Sequence, residues 1–481
     1  MPTSAKSKTA AKAKAKPSPA APANPAARPL KKGDHLFLVD GSGYIFRAYF
    51  QSMNQDRKYN HRSDGLPTGG IRMFCAMLWK LLQGMDPKDK PTHLAVVFDK
   101  SEKTFRTDFY PEYKAHRPDP PSDLIPQFPL MREAVHAFEI PCLEQAGYEA
   151  DDLIATYARL ACEAKATTTI VSSDKDLMQL VGNGVTMYDT VNERRIGASE
   201  VIEKFGVGPD KVIEVQALIG DSSDNVPGVP GIGPKAAAAL ILEFGSLDEI
   251  LKLKPDAVDE RLTKRLTKLQ SEIDKLAGAP VKIGSSSDVG KVLAEKFGVS
   301  NLARDKKGNL SADAAKVEEL AASGINFCES ILRARSVSRT IGNAVRKLFE
   351  GRESALLSKR LVTLVPNVPL DISIDQLSVR EPDYKKLIAF LKAMEFETLT
   401  QNIAKKVGID ASAVEADAKL ISSAPAKAAR PVAADTSGDL FPAPQAKPSG
   451  KGGTDSPLTP ISLAAARAEK ARNAKIDRTK Y

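Results

Sequence analysis

The chain has 481 residues, of which 42% are hydrophobic and 27% charged, and its 69 Lys and Arg against 60 Asp and Glu give a formal charge of +9. These proportions are typical of a globular protein. No run of about 18 apolar residues occurs that could cross a membrane, and the four cysteines and five histidines are not spaced for zinc, so we expect a reduced, cytoplasmic protein with no membrane contact.

The first 33 residues are rich in Lys, Ala and Pro and contain no acidic residue. This composition predicts a disordered basic tail, and it lacks the apolar stretch of a secretory signal. A basic arm of this kind suits a polyanionic partner. A solubilising extension without a partner explains the same composition equally well.

From residue 35 the pattern is that of an α/β protein. Buried strands are predicted at "HLFLV", "THLAVVF" and "TTTIVSS", and a helix at "IRMFCAMLWKLL". Strands that alternate with helices predict a parallel sheet with helices on both faces. The functional residues of such a sheet lie at the carboxyl ends of its strands.

The composition then changes twice. Beyond residue 258 helical, Lys/Glu/Ala-rich sequence replaces the strand pattern, and beyond residue 410 Ala, Pro, Ser and Gly dominate. The second change predicts a low-complexity linker that closes with a polar helix. We therefore divide the chain into segments 1–33, 34–258, 259–352, 353–410 and 411–481.

Acidic residues follow three predicted strands. Others lie in "YEADD", where a predicted helix begins, and in "GDSSDN". In a parallel sheet the residues at the strand ends converge on one edge. Any one acid is explained by the preferences of turns and of first helical turns. The nine acids are Asp40, Asp99, Glu149, Asp151, Asp152, Asp174, Asp176, Asp221 and Asp224.

Taken together, these carboxylates indicate a metal site. Brought within a few ångströms, they would raise one another's pKa values unless cations lay between them. A site built from oxygen ligands without His or Cys favours Mg²⁺ or Mn²⁺ over zinc. Nine acids exceed the needs of one such ion, so we predict two, an arrangement that hydrolyses phosphodiesters with water as the nucleophile.

A segment with alternating cations and rings, "DKSEKTFRTDFYPEYKAHR", follows the second strand. Cations of this kind can bind phosphates, and rings can stack on unpaired bases. An amphipathic helix with a buried aromatic stripe explains the pattern as well. For Phe105 and Phe109 we predict the buried stripe.

Six ordered motifs carry a family resemblance. In chain order they are "VDGSGYIFRAY", "SDGLPTGG", "VVFDKSEKTFRTDFYPEYKAHRP", "GYEADD", "VSSDKDLMQLV" and "GDSSDNVPGVPGIGPKAA". They closely resemble the 5′ nuclease domain of bacterial DNA polymerase I, a relative of the flap endonucleases. The resemblance implies a parallel-sheet, PIN-like 5′ nuclease core with a helical arch and a helix-hairpin-helix, followed by a helical region and disordered tails.

The resemblance also implies roles for individual residues. All nine acids would bind two divalent ions, the first held at the first two strand ends and "YEADD", the second by the others. Residues matching Arg106 and Lys114 touch the scissile phosphate in the family, and the one matching Tyr113 stacks on a base. Arg47 matches a further phosphate-side position. "QSMNQDRKYNHR" departs from the usual shorter "LPPLTR", which affects the entry to the arch.

The segment "NVPGVPGIGPKAAAALILEFG" reads as a turn followed by a helix. With the preceding helical segment it predicts a helix-hairpin-helix near residues 209–245, a motif that binds duplex phosphates without reading sequence. Glycines let backbone N–H groups approach an anion. The expected contacts are Gly228, Gly231, Gly233 and Lys235, with K⁺ at the hairpin as a further candidate; a plain helical hairpin is the alternative.

About 90 residues separate this hairpin from "ALLSKRLVTLVPNVPLDISIDQL", which follows it directly in the family. The inserted segment 259–352 resembles part of the polymerase thumb. We expect it to add a duplex contact or to be a helical insertion without a role. No "DxE" proofreading or "DYSQIELR" polymerase segment occurs, so we expect neither activity. The candidate contacts of the insertion are Lys306, Lys307, Arg333, Arg335 and Arg339.

The sequence thus predicts a structure-selective 5′ to 3′ exonuclease and flap endonuclease that uses two Mg²⁺ ions, for which Mn²⁺ can substitute, in primer removal and DNA repair. Expected partners are DNA with 5′ flaps, nicks or RNA primers and a separate DNA polymerase, and we expect a monomer. A non-catalytic DNA-binding module would lack some of the nine acids. A ribonuclease of PIN-like fold would need fewer acids and no hairpin.

Overall fold

The structure is a computed structural model that describes residues 27–84 and 90–422. Most of the predicted N-terminal tail and most of the predicted C-terminal linker, including its polar helix, lie outside the described residues. Residues 411–422, at the start of that linker segment, pack against the helical region before them, where Ala411 and Val414 are buried. In the described part of the chain, no helix is long and apolar enough to cross a membrane.

A six-stranded sheet of order β3-β2-β1-β4-β5-β6 forms the centre of the fold. Its first five strands pair in parallel, and β6 runs antiparallel to β5. The strands are β1 His35–Asp40, β2 His93–Val97, β3 Cys142–Leu143, β4 Thr167–Val171, β5 Val185–Asp189 and β6 Arg194–Ile196.

Strand β1 is buried on both faces, as a central strand of a parallel sheet requires. Leu36 and Leu38 point into one hydrophobic core, and Phe37 and Val39 point into another. The alternation follows from the two-residue period of a strand. Helices therefore cover both faces, and the predicted α/β architecture is confirmed.

Among the described residues, nine α-helices belong to the segment that carries the sheet. In chain order they are α1 Gly41–Met53, α2 Gly69–Gly84, α3 Phe105–Phe109, α4 Gln127–Ala137, α5 Ala150–Glu163, α6 Ala198–Phe205, α7 Val212–Ile219, α8 Pro234–Phe244 and α9 Leu247–Leu251. The helical hairpin α7–α8 occupies the predicted position, with Pro234 in the first turn of α8 and Gly245 as its C-cap.

The segment after α9 is helical apart from one short strand pair that the sequence did not predict. Its elements are α10 Pro255–Ala277, α11 Ser286–Phe297, β7 Ala303–Arg304, β8 Leu310–Ser311, α12 Ala314–Ala322, α13 Asn326–Thr340 and α14 Asn343–Glu350. Helix α13 packs between α10 and α8, so the inserted segment lies against the hairpin.

The chain then returns to the sheet. Helix α15 packs against α7, α16 lies against α4, and residues 361–365, at and after the end of α15, contact Arg106 and Asp152 near the carboxyl end of the sheet. The helices of this part are α15 Arg352–Val362, α16 Tyr384–Ala393, α17 Glu397–Val407 and α18 Ala418–Ser422. The return segment thus completes the edge at which the predicted acids lie.

Candidate active site

Two adjoining cavities of about 190 and 290 Å³ lie at the carboxyl edge of the sheet. Asp40 ends β1, Asp99 follows β2, and Asp174 and Asp176 follow β4. The first cavity is lined by Asp40, Asp99, Glu149, Asp151, Asp174, Asp176 and Asp224. The second is lined by Asp174, Asp176, Asp221 and Asp224. Eight of the nine predicted acids therefore converge.

Asp152 is the ninth, and it lies behind the cavities, fully buried. Its two carboxylate oxygens accept hydrogen bonds from Arg106 Nη1 and Nη2 at 2.7 and 2.8 Å. Arg106 Nε also donates to the Leu361 carbonyl at 2.8 Å, and Nη2 donates to the Thr363 carbonyl at 3.0 Å. This pair ties α3 and α5 to the return segment, and it leaves the Arg106 guanidinium engaged on every side.

The predicted arch segment is compact in this structure. After the five residues of α3 it continues as turns to residue 126. Phe105 and Phe109 are half-buried and lie near each other with a ring separation of 6.3 Å, and Phe105 also contacts Tyr148. Tyr113 is buried, and its hydroxyl donates to Glu149 at 3.1 Å. Its ring is not accessible to a base in this arrangement.

Cations from the same segment neutralise one side of the first cavity. Lys114 Nζ lies 2.8 Å from Glu149 Oε1 and 3.6 Å from Asp224 Oδ2. Burial alone would lower the pKa of Lys114, but Glu149 and Asp224 raise it well above its usual range. Arg117 forms a second ion pair with Asp224. Lys114 thus stays charged at the position where the resemblance places a phosphate contact.

Among the described residues, no cation forms an ion pair with the acids of the opposite side. The pKa of Asp40 is raised to about 6, chiefly by burial and to a smaller extent by the Asp174 and Asp99 charges, against hydrogen bonds from Gly43 and Ser172 that lower it. Burial and the charge of Asp174 raise the pKa of Asp176 to about 7. The pKa of Asp151 is raised well above its usual range by burial and by Asp174 and Asp40. Burial is the largest cause of these raised values, and the mutual repulsion of carboxylates without a counter-ion adds to it.

Several residues that shape the site were not found from the sequence. Ser172 donates to Asp40 Oδ2 at 2.8 Å, and Ser42 accepts the Asp99 N–H at 3.1 Å. Lys175 pairs with Asp221 at 2.6 Å. Its position between Asp174 and Asp176 in "SSDKD" could have identified it from the sequence as a residue of the site. Phe46 lines the first cavity with 42% of its surface exposed.

Arg47 lies apart from the acids. Its guanidinium donates to the Thr190 carbonyl at 2.9 Å and to the Thr190 hydroxyl. It lines a separate cavity of about 370 Å³ beside α2 and β5. The structure therefore does not bring Arg47 to the acidic cavities.

The predicted hairpin contacts divide into two groups. Gly228 is buried, and its N–H donates to Ser358 Oγ at 2.8 Å, so this N–H is not free for a phosphate. A side chain at residue 228 would place its Cβ 2.4 Å from Gly220 N, so close backbone packing requires a glycine at this position. Gly231, Gly233 and Lys235 are exposed at the start of α8. They remain candidates for an anion site.

Carboxylate oxygens are the donors that the site offers to the predicted ions. Within residues 27–84 and 90–422, no three Asp, Glu, His or Cys side chains are arranged to hold one ion by themselves. Mg²⁺ is usually bound by one or two carboxylates and keeps several waters. Five acids have no ion-pair partner among the described residues: Asp40, Asp99, Asp151, Asp174 and Asp176. Carboxylate oxygens that no cation of the described residues neutralises fit hard cations bound partly through water.

The sequence matches three family models. A 5′-3′ exonuclease N-terminal resolvase-like domain covers residues 35–206, and a 5′-3′ exonuclease C-terminal SAM fold covers residues 207–279. A DNA polymerase family A model covers residues 254–364, which include the predicted insertion.

Similar proteins agree with these models. The chain is 37% identical to the 5′-3′ exonuclease of Aquifex aeolicus over 248 residues, which are 50% of this chain and 83% of that protein. It is 40% identical to DNA polymerase I of Rhizobium leguminosarum over 466 residues, which are 94% of this chain and 37% of that polymerase. The chain thus spans little more than a third of the polymerase's length. A solved structure of the T5 D15 protein co-crystallised with metal ions covers 77% of this chain and 98% of that protein at 17% identity, with a TM-score of 0.39.

Proposed function

The chain belongs to the 5′-3′ exonuclease family, and from that premise we propose that its acidic cavities hydrolyse phosphodiesters near the 5′ ends of nucleic-acid strands by a two-metal mechanism. As a member of this family it is a structure-selective 5′ nuclease. The observation that carries the proposed mechanism is the convergence of eight acids on two adjoining cavities, five of them without a cation.

The acids would hold two Mg²⁺ ions, for which Mn²⁺ could substitute. Asp40, Asp99, Glu149 and Asp151 would hold one ion, and Asp174, Asp176, Asp221 and Asp224 would hold the other. When bound, such ions stabilise the charge that develops on a phosphate and lower the pKa of an attacking water.

The chain's own cations and rings would position the substrate. Lys114 has 28% of its side chain exposed, so its ammonium can exchange Glu149 for a phosphate oxygen. Arg117 lies beside it, and its side chain is about half exposed. Phe46 offers an accessible ring for an unpaired base, whereas the Tyr113 ring does not. Arg106 and Asp152 would hold α3 and α5 in place, which keeps the acids and Lys114 in register.

The proposed substrates are DNA with 5′ flaps, nicks or RNA primers, in primer removal and DNA repair beside a separate DNA polymerase. The relatives are named DNA polymerase I and 5′-3′ exonuclease, which supports a DNA 5′ end as the substrate and a polymerase as the partner. The nuclease part would be residues 34–258, with the hairpin near 209–245 bound to duplex and K⁺ at its turn. The insertion 259–352 and the return segment 353–410 would follow it.

The test is product mapping on a 5′-labelled flap with the full chain. We expect cleavage near the junction with Mg²⁺, none with EDTA, and none with Asp174→Ala. Asp256→Ala removes an exposed acid at the start of α10 and should cut as the intact chain does. A chain that binds flaps but never cuts them in Mg²⁺ or Mn²⁺ would contradict the proposal and favour a binding module.

A further inference from the structure

A groove of about 430 Å³ separates the second helix of the hairpin, α8, from helices of the inserted segment. Its walls come from α6 and α8 on one side and from α10, α12 and α13 on the other. Its floor is apolar and includes Phe205, Leu269 and Val337, all buried. We call it the hairpin groove.

The rim of the hairpin groove is mainly basic. Three acids face these cations: Glu203, Glu243 and Glu318. The pairs that involve them are at the surface, where ion pairs are weak. The six basic residues are Lys204, Lys235, Arg265, Arg333, Arg335 and Arg339.

Three of these cations, Lys204, Arg335 and Arg339, have no ion-pair partner among the described residues. Arg335 Nε donates to the Ile283 carbonyl at 2.6 Å, whereas Lys204 and Arg339 are exposed. Arg335 and Arg339 lie four residues apart on one face of α13. Like charges at that spacing destabilise a helix, and the pKa of Arg335 is lowered by burial and by Arg339. An anion between them would remove this repulsion.

The hairpin groove is connected to the acidic site through one side chain. Lys204, at the end of α6, lines both the hairpin groove and the second acidic cavity. A polyanion that leaves the acidic cavity past Lys204 therefore enters the groove directly.

The inserted segment also reaches the exposed turn of the hairpin. A Cβ built at Gly231 would lie 2.1 Å from Lys347 Nζ, so the α14 ammonium lies directly over this glycine. Ser336 Oγ donates to the Lys235 carbonyl at 2.7 Å, and Lys235 pairs with Glu318. The expected anion site of the hairpin and the cations of the insertion thus form one surface.

We propose that the hairpin groove binds the phosphate backbone of the substrate's duplex part, along a path that continues from the acidic cavities past Lys204 to Arg335 and Arg339. This inference rests on the proposed function and gives the insertion a defined role in it. The contacts are to phosphates, so binding should be independent of sequence. An acidic protein segment is the rival occupant, and continuity with the acidic cavities favours the nucleic acid.

The test compares Lys204→Ala/Arg339→Ala with the intact chain and with Lys291→Ala. Lys291 is an exposed cation on α11 of the same insertion, outside the groove. Fluorescence anisotropy with a flapped duplex in EDTA, at several salt concentrations, gives the affinity and its salt dependence. Thermal melts check folding, and because all three side chains are exposed we expect no change.

We expect the double variant to bind about tenfold more weakly at moderate salt, with a log–log salt slope shallower by about 2, because each phosphate contact contributes about 0.9. Lys291→Ala should leave both quantities unchanged. Equal losses of affinity in Lys291→Ala would overturn the proposal, since binding would then reflect the net charge of the insertion. Unchanged DNA affinity in the double variant, with lost binding of poly-L-glutamate, would assign the groove to an acidic protein and also overturn the proposal.

Cleavage of the labelled flap by the intact chain in Mg²⁺ is measured in parallel. If the intact chain cuts while the double variant binds DNA normally, the groove proposal fails and the proposed function stands. If the intact chain never cuts while the double variant loses DNA affinity, the proposed function fails and the groove stands.

Discussion

The two sides of the acidic site differ in how their charge is balanced. On one side, Glu149, Asp224 and Asp221 are each paired with a lysine or arginine of the chain. The other side is formed by the five acids without an ion-pair partner among the described residues, where the pKa of Asp40 rises to about 6 and that of Asp176 to about 7. We call these the compensated side and the uncompensated side.

This difference indicates which acids of the site depend on cations bound from solution. The compensated side is neutral as folded, so its geometry is set by the protein alone. On the uncompensated side the charged forms of Asp40, Asp151 and Asp176 are disfavoured until a cation binds. Metal binding, cleavage and metal-dependent stability should therefore be most sensitive to the uncompensated side.

The largest effect is expected on cleavage from Asp151→Ala. This acid lines the first cavity on the uncompensated side, and losing it would remove several kcal/mol of stabilisation, or about 10³-fold in rate. Single-turnover cleavage of a labelled flap measures this, with Asp256→Ala as the matched control. A loss below about tenfold would show that the uncompensated side does not hold the reacting centre.

Arg106→Ala is expected to have the next largest effect, a loss of folding stability. The change leaves Asp152 buried without its partner and frees two carbonyls of the return segment, so the free energy of unfolding should fall by about 3–5 kcal/mol. Urea denaturation measures it. Arg132→Ala, which breaks a more exposed pair with Glu144 at 2.8 Å, should cost less than about 1 kcal/mol.

If Arg106→Ala left the stability unchanged and reduced only cleavage, Arg106 would be a phosphate contact and not the structural partner of Asp152. That outcome would agree with the family resemblance and contradict the role inferred from burial.

Without metal, Asp176→Asn is expected to raise the free energy of unfolding. This effect is opposite in sign to that of Arg106→Ala and smaller. The folded protein raises the pKa of Asp176 to about 7, so the folded state binds more protons than the unfolded state between about pH 4 and 7, and the carboxylate destabilises the fold as pH rises through that window. In EDTA at pH 8 the variant should be more stable by about 1 kcal/mol, and the gain should vanish near pH 4.

Thermal melts of Asp176→Asn and the intact chain across that pH range provide the measurement. In saturating Mg²⁺ the order should reverse, because only the intact chain has the full ligand set. A variant that is less stable in EDTA at every pH would mean that Asp176 is compensated after all.

The smallest effect is expected from Lys175→Ala, which moves Asp221 from the compensated to the uncompensated side. Removing the ammonium 2.6 Å from Asp221 leaves more negative charge for an ion, so the affinity for Mg²⁺ should rise by about threefold. Isothermal titration measures this, with Lys80→Ala, which breaks an exposed pair with Glu193, as the control. A weaker affinity would indicate that Lys175 orients the acid for the metal.

The acids at the strand ends could be predicted from the sequence because the chain places them there directly. Asp40 and Asp99 stand at the ends of strands whose apolar runs are visible in the sequence, and parallel pairing brings such ends to one edge. The strands β3, β5 and β6 were not predicted, because they are short or lack a continuous apolar run.

Charge compensation could not be predicted, since its partners are distant in sequence. Arg106 bonds to carbonyls more than 250 residues later, and local patterns carry no information on such pairs. The same holds for Lys347 over Gly231. The resemblance gave the residue types of the site, and the packing of the return segment decides which of them face the cavities.

The most direct test of the central claim, that the uncompensated acids need a pair of hard cations, is the number of Mn²⁺ ions bound per chain. Electron paramagnetic resonance of free Mn²⁺ during titration of the full chain measures this number. The account predicts two saturable sites that Mg²⁺ competes for and that Asp151→Ala and Asp174→Ala combined remove, with Asp256→Ala unchanged. Absence of saturable binding, or two sites that persist in the combined variant, would contradict it.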